Sequence, residues 1–237
     1  MRRLRSILFL FPLFFFIYWK TYSLPKVNFG VMNRHTFQYL AIGDSYTIGE
    51  KVSAKENFPN QLSVLLTDDS NELHVERIIA KTGWTTDELE GGIKRSANEK
   101  PLLDSYDLVS LLIGVNNQYR GRSVEEYVPG FQALLNKAIQ FAGNRPDHVV
   151  VLSIPDWGVT TFAEGRDREQ IAKDIDAYNA ANREIAEKYH VHYIDITPLT
   201  REAANDLSLL AEDGLHPSGK EYKRWAEKIA AVFHGKL

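Results

Sequence analysis

Five short runs, FQYLAIG, LHVERIIA, DLVSLLIG, HVVVLSI and VHYIDI, are separated by longer stretches whose apolar residues recur at helical spacing. Several of the runs are continuously apolar, as a parallel strand covered on both faces must be. Between them, SVEEYVPGFQALLNKAIQFAG sets Val124, Tyr127, Val128, Phe131, Leu135 and Ile139 on one helical face. Ser123 and Glu126 stand at the spacing of a capping box, and Pro129-Gly130 marks a point where the helix can bend. Ile171, Ile175, Tyr178, Asn182, Ile185 and Tyr189 form a second such face. Tyr222, Trp225, Ile229 and Phe233 form a third, in a helix that opens after Pro217 and ends near Gly235. This alternation predicts an α/β domain, a three-layer α/β/α sandwich on a mainly parallel sheet of about five strands.

The first residues do not share that pattern. MRRLRSILFLFPLFFFIYWK carries Arg2, Arg3 and Arg5 ahead of an uncharged apolar run from Ile7 to Trp19, which is the plan of an export signal. As a helix that run reaches about 20 Å, against about 30 Å for the hydrocarbon core of a bilayer. It fits the hydrophobic region of a signal better than a full span. Thr21 and Ser23 put small residues where a signal peptidase reads, but without an Ala-x-Ala, so an uncleaved membrane anchor is the alternative. The expected organisation is a signal peptide or membrane anchor over residues 1–25 and one globular domain over residues 36–237, exported to the periplasm or the exterior.

With 237 residues, 44% hydrophobic and 25% charged, the chain can bury one sizeable core. A net charge of −3 with no long basic tract argues against nucleic acid as the partner and for a small molecule. The absence of cysteine excludes disulfides, thiol nucleophiles and thiolate metal sites.

In an open α/β sheet, ligands bind beyond the carboxyl ends of the strands. Those positions hold Gly43-Asp44-Ser45, Lys81-Thr82-Gly83, Gly114-Val115-Asn116-Asn117 and Pro155-Asp156-Trp157-Gly158, and Asp213-Gly214-Leu215-His216-Pro217 precedes the last helix. A serine hydroxyl is a poor nucleophile until a base takes its proton, and a histidine, with an unperturbed pKa of about 6.5, suits that task. His216 is the candidate base. Asp213, three residues earlier, can reach the imidazole Nδ1 in a single turn, leaving Nε2 for Ser45. A tetrahedral oxyanion needs donors already in place, and the backbone N–H groups of Ser45 and Gly83 and the side-chain amide of Asn116 can supply them. Asp44 is expected to hold the sharp turn that carries Ser45 rather than to act in catalysis.

Gly43-Asp44-Ser45, Gly83, Gly114-x-Asn116 and Asp213-x-x-His216, in that order, resemble the four blocks of the GDSL or SGNH hydrolase family, over the chain from about Tyr39 to about Phe233. The resemblance implies a flavodoxin-like SGNH hydrolase fold. It implies esterase, lipase, thioesterase or carbohydrate-deacetylase activity on a small-molecule ester (lysophospholipid, short acyl ester, thioester or acetylated glycan), with no metal or other cofactor. The roles it implies are nucleophile for Ser45, base for His216, orienting acid for Asp213, and oxyanion donors for Gly83 and Asn116. An O-acyltransferase using the same acyl-enzyme and a catalytically silent binding module on this fold are the alternatives. The chain departs from the family at Asn117, where many members carry aspartate; the expected effect is on a local turn or hydrogen bond rather than on the oxyanion contact.

Other constellations are thinner. No Gly-x-Ser-x-Gly elbow, phosphate loop, dinucleotide fingerprint or His-Glu-x-x-His occurs. His190 and His192 stand at the spacing of one strand face, without a third ligand. Asp156 and Asp195, at strand ends, compete with Asp213 for the acid's role. Tyr119, Arg120 and Trp157 are candidate substrate-binding residues. Arg120 and Arg122 would either meet an anionic leaving group or pair with Glu125 and Glu126 on the surface.

Overall fold

The computed structural model describes residues 34–237. The signal or anchor expected at residues 1–25 lies outside them, and among the described residues no helix is long and apolar enough to cross a membrane. All five apolar runs are strands: β1 (His35–Asp44), β2 (Asn71–Lys81), β3 (Leu108–Leu112), β4 (Val149–Leu152) and β5 (His192–Ile194). Every pairing among them is parallel, in the order β2-β1-β3-β4-β5, which is the flavodoxin-like arrangement. The predicted α/β/α sandwich is therefore the observed fold.

The helices follow in chain order as α1 (Ser45–Ile48), α2 (Phe58–Leu65), α3 (Thr86–Glu99), α4 (Val115–Tyr119), α5 (Val124–Phe141), α6 (Arg168–Lys188), α7 (Thr197–Arg201) and α8 (Gly219–Phe233). Parallel crossovers are right-handed. The step from β1 to β2 runs one way along the sheet and the later steps run the other, so α2 lies on one face and α3, α5 and α6 on the opposite one. α8 returns to pack against α2.

Burial explains the uninterrupted runs. Leu40, Ile42, Val109, Leu111, Val150 and Val151 are fully enclosed between the layers. Each large side chain so buried contributes about 1.5–3 kcal/mol. α8 inserts Tyr222, Trp225, Ile229 and Phe233 into the same core. At the start of α5, Ser123 Oγ accepts from Glu126 N–H, and the Glu126 carboxylate accepts from Ser123 N–H. The helix passes through Pro129 as one element.

The histidine pair is a correction. His190 stands in a left-handed turn (φ 57°) ahead of β5, so it shares no strand face with His192, whose ring packs on Phe233. No cluster of three metal-ligating side chains occurs among the described residues.

Candidate active site

β1 ends inside the protein, and its last residue, Asp44, caps α1 by accepting from Tyr46 N–H at 3.0 Å. Ser45 is the first residue of α1 and is thus delivered to the carboxyl edge of the sheet. Gly43 is required by close approach: a Cβ there would lie 2.1 Å from Thr47 Oγ1 and 2.4 Å from the Leu112 carbonyl.

His216 enters from the loop before α8. Its Nδ1 donates to Asp213 Oδ2 at 2.6 Å, while Asp213 Oδ1 accepts from the backbone N–H groups of Leu215 and His216, each at 3.0 Å. Burial acts to raise the Asp213 carboxyl. The hydrogen bonds from the His216 side chain, His216 N–H and Leu215 N–H outweigh it and hold that carboxyl below its ordinary range. The anion thus persists beside the ring, which fixes the tautomer with a bare Nε2. The Tyr46 ring packs against the imidazole at 4.9 Å between centroids.

Ser45 and His216 line one cleft of about 150 Å³, together with Tyr46, Gly83, Asn116, Tyr119, Trp157 and Phe162. No hydrogen bond among the described residues joins Ser45 Oγ to the ring. Gly83 follows β2 with φ 82°, a left-handed conformation that favours glycine. Asn116 lies in the first turn of α4, and its Nδ2 donates to the Trp84 carbonyl at 3.0 Å and to Asp44 Oδ2 at 3.4 Å. The longer of these is weak. A nucleophile, a base held by a carboxylate, and amide donors around one cleft can carry out acyl transfer.

The neighbouring candidates divide. Tyr119 and Trp157 form one cleft wall, with ring centroids 5.1 Å apart, and Trp157 Nε1 donates to Gln118 Oε1 at 2.7 Å. Phe162, 6.2 Å from both rings, completes that wall; it lies in a single 3₁₀ turn, Thr161–Ala163, too short to show a period, so no sequence signal marked it. Arg120 is absent from the cleft lining: its guanidinium donates to the Gly83 carbonyl at 2.6 Å and pairs with Glu88 at 3.1 Å. Arg122 pairs with Asp87 at 2.6 Å. The arginines are therefore engaged, as the surface alternative required, but with α3 rather than with Glu125 and Glu126. Asp156 caps Gly158 N–H and pairs with Arg201. Asp195 holds Ser153 Oγ and pairs with Arg183. Asn117, the departure from the family pattern, is fully buried and binds Thr86 rather than facing the cleft.

Burial pushes the Asp44 carboxyl up to about 7, against hydrogen bonds from Tyr46 N–H, its own N–H and Asn116 that act to lower it. In the unfolded chain an aspartate titrates at about 3.9. Between those values the native protein keeps a proton the unfolded chain has released, so this group costs stability as pH rises from about 4 to about 7. Asp44→Asn keeps an acceptor for Tyr46 and removes the titration. Urea melts at about pH 5 and about pH 8 should show the variant gaining about 2 kcal/mol on the wild type at the higher pH. An equal difference at both pH values would contradict the buried, proton-holding carboxyl.

Comparison with known proteins agrees with this architecture. Residues 41–224 match the model of the GDSL-like lipase/acylhydrolase family. Among solved structures, a lipolytic protein of the G-D-S-L family from Veillonella parvula is 18% identical at a TM-score of 0.63, covering 84% of this chain and 99% of that one. TesA is 17% identical at a TM-score of 0.63, with the same coverage of 84% and 99%. Axe2, an acetylxylan esterase from Geobacillus stearothermophilus, is 18% identical at 0.61, covering 85% of this chain and 95% of that one. At such identities the likeness is one of fold. Among curated proteins none matches the sequence.

Proposed function

The chain belongs to the GDSL-like lipase/acylhydrolase family and is a hydrolase of ester bonds, and from that premise we propose that it works through an acyl-enzyme on Ser45. The observation that carries the reading is the 2.6 Å bond from His216 Nδ1 to Asp213 Oδ2, on the rim of the cleft that Ser45 also lines. His216 Nε2 takes the Ser45 proton as Oγ attacks the ester carbonyl. The oxyanion that forms is held by the N–H groups of Ser45 and Gly83 and by the Asn116 amide. Collapse of the intermediate expels the alcohol, which receives the proton from His216. A water then attacks the acyl-enzyme, giving its proton to the same nitrogen, and the second collapse restores Ser45 and releases the acid.

The cleft, at about 150 Å³, is smaller than the about 300–1,000 Å³ typical of drug-sized ligands. This supports a short acyl ester or an acetylated glycan over a long-chain lysophospholipid. Tyr119, Trp157 and Phe162 would hold the apolar part of that substrate. The arginine-led apolar segment at residues 1–25 supports action outside the cytoplasm, with the segment cleaved as a signal or kept as an anchor.

The reading is tested with a series of p-nitrophenyl esters of increasing acyl length and with a fluorophosphonate that stops turnover. The expected result is fastest turnover on the shortest acyl groups and a single phosphonyl adduct on the peptide carrying Ser45. Ester turnover with the label on another residue would sink the mechanism.

A further inference from the structure

We propose that α4 aims the oxyanion donors, with Asn117 and Arg120 as positioning residues that fix the Gly83 N–H and the Asn116 amide relative to each other. The proposal rests on the reading of Gly83 and Asn116 as those donors. They follow β2 and β3, which are not neighbours, since β1 lies between them in the sheet. No ladder joins β2 to β3 directly; each is registered only through β1, and both ladders stop short of Gly83 and Asn116. Gly83 is held locally only by the bond from Trp84 N–H to the Lys81 carbonyl at 3.2 Å, with φ 82° and no side chain to lodge in a pocket. Its N–H lies on the Thr82–Gly83 peptide, next to the Gly83–Trp84 peptide that carries its carbonyl, and a shift of that neighbouring plane would move the N–H from the cleft.

α4 and its C-cap residue Arg120 span that gap with three anchors, on Gly83, Trp84 and Thr86. Arg120 Nη2 donates to the Gly83 carbonyl at 2.6 Å, and Asn116 Nδ2 donates to the Trp84 carbonyl at 3.0 Å. Asn117 Oδ1 accepts from Thr86 N–H at 3.1 Å while its Nδ2 donates to Thr86 Oγ1 at 3.0 Å. Asn117 is 0% exposed, so water does not compete for these bonds and they are at full strength. Arg120 is itself steadied by Glu88, whose carboxylate also accepts from Thr85 N–H at 2.9 Å. Gly83 is thus gripped through its own carbonyl and through the start of α3 three residues on. Neither Asn117 nor Arg120 lines the cleft, so both act through the groups they hold.

Misplacement of a catalytic group by about 1 Å costs about a hundredfold in rate, which sets the scale for the test. Arg120→Met, Asn117→Ala and Asn117→Asp are each assayed on p-nitrophenyl acetate, with Arg120→Met repeated in an Asn116→Ala background. Asp at 117 can accept from both the Thr86 N–H and its hydroxyl, so it keeps the anchor that alanine loses. Arg120→Met and Asn117→Ala are expected to lower kcat about tenfold to a hundredfold with KM within about twofold, and Asn117→Asp to recover most of that loss. Once Asn116 is gone, Arg120→Met should cost clearly less than in the wild-type background, because the Gly83 N–H is still misplaced but its alignment with Asn116 no longer matters. Arg120 is half-exposed, so its variant keeps the test decisive even where Asn117→Ala fails to fold. An unchanged kcat in Arg120→Met, or the same loss in both backgrounds, overturns the proposal. Should Asn116→Ala by itself leave kcat within about threefold, the oxyanion reading fails and this proposal with it; a large Asn116 effect beside a silent Arg120→Met removes the proposal alone.

Discussion

Ser45→Ala is expected to lower kcat on p-nitrophenyl butyrate by about 10⁴-fold to 10⁶-fold, with KM little changed. The size follows from what the substitution removes and what it leaves. Alanine deletes the hydroxyl oxygen that forms the acyl bond in the proposed mechanism but keeps the backbone N–H at the head of α1. Gly83, Asn116 and the aromatic wall of the cleft are untouched, so binding and part of the oxyanion stabilisation persist. That residue of the machinery accounts for slow catalysis above the uncatalysed rate. Ser45 is a small side chain at a helix start, so the melting temperature of the variant should match that of the wild type. The measurement is steady-state hydrolysis beside a thermal melt. A variant that keeps more than about one-hundredth of wild-type kcat would show that another group carries the acyl chain, because loss of a nucleophile is never so mild.

The parts of the fold that were legible in the sequence are those set by short-range pattern. Continuous apolar runs mark the buried central strands β1, β3 and β4, and all five strands pair in parallel. Their carboxyl ends were therefore readable too, and Ser45, Gly83, Asn116 and His216 converge on one cleft because the topology gathers strand ends. Asp213 and His216 were a visible pair because three residues separate them.

What was not legible depends on which segments the sheet order brings together. Arg122 has Glu125 and Glu126 close by in sequence, yet it binds Asp87, 35 positions away, because the crossover after β2 sets the start of α3 beside α4. Asn117 could be singled out as a departure, but its partner Thr86 is 31 positions distant and no local rule points to it. His190 fell off its expected strand because the chain takes a left-handed turn before β5. Phe162 reaches the cleft from a single 3₁₀ turn, too short to leave a helical or strand period. For Arg122 and Asn117 the missing information was a tertiary neighbour; for His190 and Phe162 it was a local turn too short to leave a period.

Asp213→Asn is the second large effect expected, a fall of about 10⁴ in kcat/KM with little loss of stability. Asp213 Oδ1 accepts from two backbone N–H groups, of Leu215 and of His216. An asparagine in the same rotamer must keep its single oxygen there, since its amide nitrogen would face two donors. Its NH₂ is then directed at His216 Nδ1, where the native carboxylate accepts at 2.6 Å. That nitrogen can meet an incoming donor only by giving up its own proton, which moves the ring hydrogen to Nε2. The base then presents N–H to Ser45 instead of a lone pair, and the proton on Oγ has nowhere to go. Geometry is preserved while the tautomer is inverted, so circular dichroism and the melting temperature should stay near wild type as turnover collapses. Asp213→Ala, by contrast, releases the turn at Leu215 and His216 and should cost stability as well as activity. If Asp213→Asn instead retains more than about one-tenth of wild-type kcat/KM, the histidine is oriented by something other than Asp213. Asp156 and Asp195 are already held by Arg201 and Arg183 and could take that role only through a rearrangement that a crystal structure of the variant would reveal.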